Sequence, residues 1–155
     1  MVAPRLKDFL DSHHVKYVVC QHSPAFTAQE VAASAHVKGK DFAKTVVLKI
    51  EGKLALAVLP ASQRVAFDAL RETVGTDKVE LATEAEFKAA FPGCELGAMP
   101  PFGNLFGMET YVSARLAKDE EIAFNAGTHT EVLRMKYADF ERLVTPKVTS
   151  ITWPQ

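Results

Sequence analysis

Alternation of apolar and polar positions is clearest between Ala43 and Pro60. Ala43-Lys44-Thr45-Val46-Val47-Leu48-Lys49-Ile50 and Leu54-Ala55-Leu56-Ala57-Val58-Leu59-Pro60 are rich in β-formers and flank Glu51-Gly52-Lys53, a pattern that predicts two strands joined as a hairpin. Period-two alternation puts Lys44 on one face with Val46, Leu48 and Ile50, and Lys49 on the other with Thr45 and Val47. Helical spacing governs Leu6, Phe9, Leu10 and His13 behind Pro4, predicting a short amphipathic opening helix. A strand over residues 16–20 follows and is broken by His22-Ser23-Pro24. Thr27-Ala28-Gln29-Glu30 and Thr83-Glu84-Ala85-Glu86 both have the capping-box form, in which hydroxyl and carboxylate reciprocally satisfy free amides at a helix start. They predict helices running through about residue 35 and stopping before Pro92. Ser62 is placed to cap a helix that carries Val65, Ala66, Ala69, Leu70 and Val74 and ends at Gly75. Residues 78–82, 109–113, 122–126 and 131–135 have strand character, and residues 137–144 form a last helix stopped by Pro146. About seven strands with helices interspersed irregularly predict an α+β fold: a curved, largely antiparallel mixed sheet with helices packed around it.

Composition narrows the function classes. At 155 residues, with 48% hydrophobic and 24% charged residues, the chain fits one soluble domain spanning residues 1–155. A formal net charge of −1 argues against broad binding along a nucleic-acid backbone such as DNA, while leaving room for a local contact to one phosphate. Two cysteines, Cys20 and Cys94, do not make a disulfide framework, so a reducing, cytoplasmic setting is expected. No segment has the length of a membrane span or the apolar run of a signal peptide.

Residues 93–107 place four glycines and the pair Pro100-Pro101 in fifteen positions, with Leu96, Met99, Phe102, Leu105 and Phe106 as apolar anchors. Such a loop is shaped rather than slack: Gly97 lets a ligand approach the main chain, and the two prolines remove donors so that the remaining amides point in chosen directions. That arrangement suits a carbonyl or oxyanion, and equally a rigid surface connection. Lys44 enters the apolar face at its rim, where loss of hydration lowers a lysine pKa unless an anion compensates. Phosphate binding, proton chemistry and a stem that merely covers core while the ammonium reaches water are all open to it. His129 sits in a Gly-Thr-His turn between two strands, aimed at a cleft or simply structural. Cys20, His13, His14, His22, His36 and His129 match no metal-ligand spacing, so no metal is expected. The nucleophile elbow, the phosphate loop and the His-Glu-x-x-His helix are all missing, so no cofactor is expected either.

Three stretches in order, Phe42-Ala43-Lys44-Thr45-Val46-Val47, Gly97-Ala98-Met99-Pro100-Pro101-Phe102-Gly103 with its Gly-x-x-x-Pro pattern, and Ala126-Gly127-Thr128-His129, resemble the YbaK/prolyl-tRNA synthetase editing-domain family. The resemblance implies a free-standing, trans-acting aminoacyl-tRNA deacylase. Such a hydrolase cleaves the ester of mischarged tRNA carrying a small amino acid such as Ala, Ser or Thr, and so serves translation fidelity. It implies the acceptor 3′ end of aminoacyl-tRNA as substrate and an aminoacyl-tRNA synthetase as partner. Lys44, Gly97 and His129 would be catalytic, Lys44 placing the terminal adenosine. Ala98, Met99, Pro100, Pro101, Phe102, Gly103, Gly127 and Thr128 would hold the aminoacyl ester, with Met99 and Phe102 sizing the pocket. Thr27 and Glu30 would frame its entrance, and Lys38 and Lys40 could add local positive charge. A non-catalytic module of the same fold, recognising a tRNA end or a protein, is the alternative. The enzyme reading expects Lys44 to face the Gly97–Pro101 turn across a pocket.

Overall fold

The computed structural model describes residues 2–22 and 41–153. α1 (Pro4–Ser12) and β1 (Tyr17–Gln21) lead to the hairpin of β2 (Phe42–Ile50) and β3 (Lys53–Pro60). Ile50 pairs with Lys53, leaving Glu51-Gly52 as a two-residue loop with φ of 49° and 81°. Two successive positive φ values make the turn whose twist matches the flanking strands, and the second falls on glycine. β4 (Arg64–Val65), α2 (Phe67–Val74), β5 (Val79–Leu81), α3 (Glu84–Phe87), β6 (Glu109–Ser113), β7 (Glu121–Asn125), β8 (Glu131–Lys136), α4 (Tyr137–Val144), β9 (Lys147–Thr149) and β10 (Thr152–Trp153) follow.

The architecture is α+β with a large, mostly antiparallel mixed sheet. Its path is β1-β8-β7-β2-β3-β6-β9, with β5 added on β2. The strand count differs from the expected seven: the main sheet has eight strands, and β4 and β10 form a second, two-stranded one. β9 and β4 are three and two residues long, too short to carry an alternating pattern; pairing with distant partners creates them. The β4–β10 pairing also moves the helix expected from Ser62. The amide of Ala66 donates to Ile151 O at 2.7 Å, and α2 starts after Ala66 without a side-chain cap. The box at Thr83 forms as expected, with both reciprocal bonds present. The box at Thr27 lies outside the described residues.

Three apolar clusters fix the layers. On one face of the β2–β3 hairpin, Ala43 and Val58 join Phe102, Phe124, Phe140, Leu6 and Leu10, while Val47 and Leu56 join Phe87, Phe91 and Met99. The opposite face carries Leu48, Ala57 and Leu59 against Leu70 and Ile151. No helix among the described residues is long and apolar enough to cross a membrane.

Candidate functional site

Two turns clasp each other at one end of the sheet. The amide of Glu95 donates to Gly127 O at 2.8 Å, and the amide of Gly127 donates to Ala98 O at 3.0 Å. The amide of His129 donates to Glu95 Oε1 at 2.7 Å, and His129 Nε2 lies 2.7 Å from Leu96 O. A carbonyl only accepts, so Nε2 carries the proton, and His129 acts on the loop through its main chain. Gly97 has φ of 85°, which favours glycine, and a Cβ there would press on the His129 ring at 3.2 Å from Cε1. Gly127, with φ of 100°, packs against Ala3, where a Cβ would come within 2.7 Å.

The anchoring below this clasp is apolar. Phe102 is wholly buried, its ring 5.5 Å from both Phe124 and Phe140 and 6.2 Å from Phe9. Met99 is buried beside Val47 and Phe91, and Ala98, Pro100, Pro101 and Gly103 are buried as well. Gly103 has no room for a side chain, since a Cβ would lie 2.3 Å from Thr110 Oγ1. Phe102 and Gly103 thus hold the loop from beneath. Gly97 remains exposed, and its amide points at the Met99 sulfur at 3.1 Å. A thioether is a weak acceptor, so this amide is readily taken over by an oxygen carrying negative charge.

Lys44 is half-buried on β2, its ammonium 3.4 Å from Ala61 O. Burial pushes its pKa down, and the nearby Arg64 guanidinium pushes it the same way. The expectation that it faces the 97–101 turn directly needs correction. Alternation along β2 sends Lys44 to the Leu48 face, whereas the loop packs on the face of Ala43 and Val47. Both sides border one interruption in the sheet. The edge of β2 away from β3 pairs with β7 at Phe42 and Ala43 and with β5 at residues 48–50. Among the described residues no strand covers residues 44–46 on that edge. Parallel pairing with β7 sets Lys44 next to the end of the strand that runs into the Gly127–His129 turn.

Thr128 Oγ1 donates to Glu131 Oε1 at 3.2 Å, bracing the turn from behind. Thr27, Glu30, Lys38 and Lys40 lie outside the described residues. Nothing local in the sequence marks Arg64, whereas the carboxylate two positions before Gly97 is a readable hint for Glu95. Burial raises the Cys94 thiol to about 11, which removes it as a thiolate nucleophile near neutral pH. Among the described residues no three His, Cys, Asp or Glu side chains are grouped to hold a metal ion.

Comparison with known proteins identifies the family and the fold. Residues 22–143 match the family model described as an aminoacyl-tRNA editing domain. The chain is 32% identical over 113 residues to the multifunctional Ser/Thr-tRNA deacylase ProXp-y of Escherichia coli K12, covering 70% of this chain and 67% of that protein. Among solved structures, one titled as a hypothetical protein superposes with a TM-score of 0.85 at 18% identity, over 96% of this chain and 99% of the other. Another, titled as a provisionally assigned trans-editing enzyme for prolyl tRNA synthetase, superposes with a TM-score of 0.80 at 23% identity, over 96% and 95% of the two chains.

Proposed function

The chain belongs to the aminoacyl-tRNA editing domain family, and from that premise we propose how this aminoacyl-tRNA deacylase works and on what. The substrate is tRNA mischarged with a small amino acid, serine and threonine foremost, given the activity named for the Escherichia coli relative. Residues 1–155 act as a single editing domain, in trans, alongside an aminoacyl-tRNA synthetase that makes the error. The physical need is plain. A synthetase pocket separates side chains differing by one methylene by only about 1–3 kcal/mol, and a second hydrolytic site removes what passes.

The observation that carries the mechanism is the amide of the exposed residue Gly97, which among the described residues meets only the Met99 sulfur, on a loop clamped by His129 and Glu95. Water attacks the ester carbonyl carbon, and negative charge gathers on the carbonyl oxygen, which the Gly97 N–H accommodates. The acyl–oxygen bond then breaks, the ribose 3′ oxygen takes the proton, and free amino acid leaves. A single donor of this type is typically worth about 10²–10³ in rate. Lys44, left by its surroundings without a carboxylate partner among the described residues, takes a phosphate or ribose oxygen of the terminal nucleotide. His129 keeps the loop in register, and no protein nucleophile is required. Ala98, Met99, Pro100 and Pro101 shape the wall toward the acyl group, with Gly127 and Thr128 supporting it.

The test is release of amino acid from a panel of mischarged tRNAs by purified protein. Hydrolysis of a Ser- or Thr-charged non-cognate tRNA faster than buffer supports the proposal. Binding of the tRNA without release would make the domain a recognition module.

A further inference from the structure

We propose that Asn125 is a substrate-positioning residue whose side-chain oxygen accepts a hydrogen bond from the free ribose hydroxyl of the terminal nucleoside, beside Lys44. This rests on the deacylase reading above and adds, beside the phosphate or ribose oxygen taken by Lys44, an acceptor for the ribose hydroxyl proton. Asn125 is only 8% exposed, and its Oδ1 is buried with no hydrogen-bond partner among the described residues. A buried carbonyl acceptor left unsatisfied costs free energy that a bound donor returns.

Register places it. β2 and β7 run parallel with Ala43 opposite Phe124, and both of these side chains belong to the Phe102 cluster. One step further along each strand, just past the last paired residues, come Lys44 and Asn125, so alternation puts both on the other face at the end of neighbouring strands. The β7–β8 pairing agrees: Ile122, Phe124, Leu133 and Met135 all join the Phe102 cluster, while Asn125 stands opposite Val132, which does not.

The charge around Asn125 selects the kind of donor. Lys44 is its neighbour on β2, Arg64 is close enough to depress the Lys44 pKa, and Arg134 shares this face of the sheet across from Ala123. An α-ammonium would be repelled here. A neutral hydroxyl would not, and the vicinal 2′ hydroxyl is the free one when the amino acid is esterified at the 3′ position.

The experiment compares two non-hydrolysable ligands, 3′-seryl-amido-3′-deoxyadenosine and its 2′-deoxy counterpart, by titration calorimetry. It uses wild type, Asn125→Ala and Asn125→Leu, the leucine filling the volume should the alanine variant fail to fold. Wild type is expected to bind the ribose form about tenfold more tightly, the typical worth of one hydrogen bond to a buried acceptor, and the variants to bind both forms alike. A purely structural asparagine would lower both affinities together. Variants that keep the tenfold preference overturn the assignment. So does a wild type that hydrolyses mischarged tRNA yet binds both ligands equally or neither, and the deacylase reading then stands. A wild type that neither hydrolyses nor binds removes that reading too.

Discussion

Lys44 and Lys49 sit five residues apart on one strand and live in opposite electrostatic settings. Lys49 lies between two carboxylates, ion-paired with Glu86 and 3.4 Å from Glu80, and its pKa is raised. Lys44 meets a carbonyl and a guanidinium, and its pKa is lowered. Alternation explains the split, since odd and even positions of β2 face different layers. A cation whose partners are built in belongs to the fold, whereas one held half-buried with no carboxylate partner among the described residues is the one proposed to meet an anion that arrives with a ligand.

The largest effect should come from removing the second kind. Lys44→Ala is expected to lower kcat/KM for deacylation more than about tenfold with an unchanged circular dichroism spectrum, since charge-assisted contacts are among the strongest. Lys49→Ala should stay within about twofold in the same assay, as expected of an exposed pair. Equal losses would erase the distinction. Gly97→Ala comes next. The methyl group meets His129 and the backbone must hold a positive φ, so misplacing this amide is expected to cost roughly tenfold in kcat, scored by single-turnover kinetics.

A pH profile sharpens the comparison. Lys44 loses its proton below the ordinary lysine range, so kcat/KM, corrected for buffer hydrolysis, should fall on the alkaline side before pH reaches 10.5. Lys44→Arg should abolish that limb, because guanidinium stays charged. For folding the sign is the reverse of a salt-bridged lysine. Between the lowered pKa and 10.5 the unfolded chain binds more protons, so the Lys44 contribution to stability rises with pH across that window. Lys49, its pKa raised by Glu86 and Glu80, behaves oppositely: its contribution is full below 10.5 and is lost as pH rises through the folded value. Hydrogen bonds from Lys49 and then from Thr83 hold Glu86 down at about 2, so its stabilising contribution is full above 4.5 and is lost as pH falls toward 2. The smallest effect belongs to the same corner. Thr83→Ala breaks the capping box and should cost about 1 kcal/mol in urea melts with deacylation unchanged.

Local rules made much of the fold legible. The β2–β3 hairpin follows from alternation around Glu51-Gly52, and α3 from its capping box, because both are written in adjacent residues. β4, β9 and β10 escape because they exist only through partners far along the chain, as Arg64 with Trp153 shows. The same divide runs through the site. Gly97 and Lys44 carry local signals, a glycine before two prolines and a lysine at the rim of an apolar strand. Glu95 is defined by a bond to the His129 amide 34 residues away, and the burial of Asn125 by the parallel β2–β7 register. That Lys44 and the loop occupy different faces of β2 was likewise invisible, since it depends on which layer the loop covers.

The most direct measurement is the rate at which wild type and Lys44→Ala release serine or threonine from a non-cognate tRNA at neutral pH, with folding of the variant checked in parallel. Release well above the buffer rate by wild type, and at least about a tenfold drop in the folded variant, is the predicted result. A wild type no faster than buffer, or a variant as fast as wild type, would contradict the role given to Lys44.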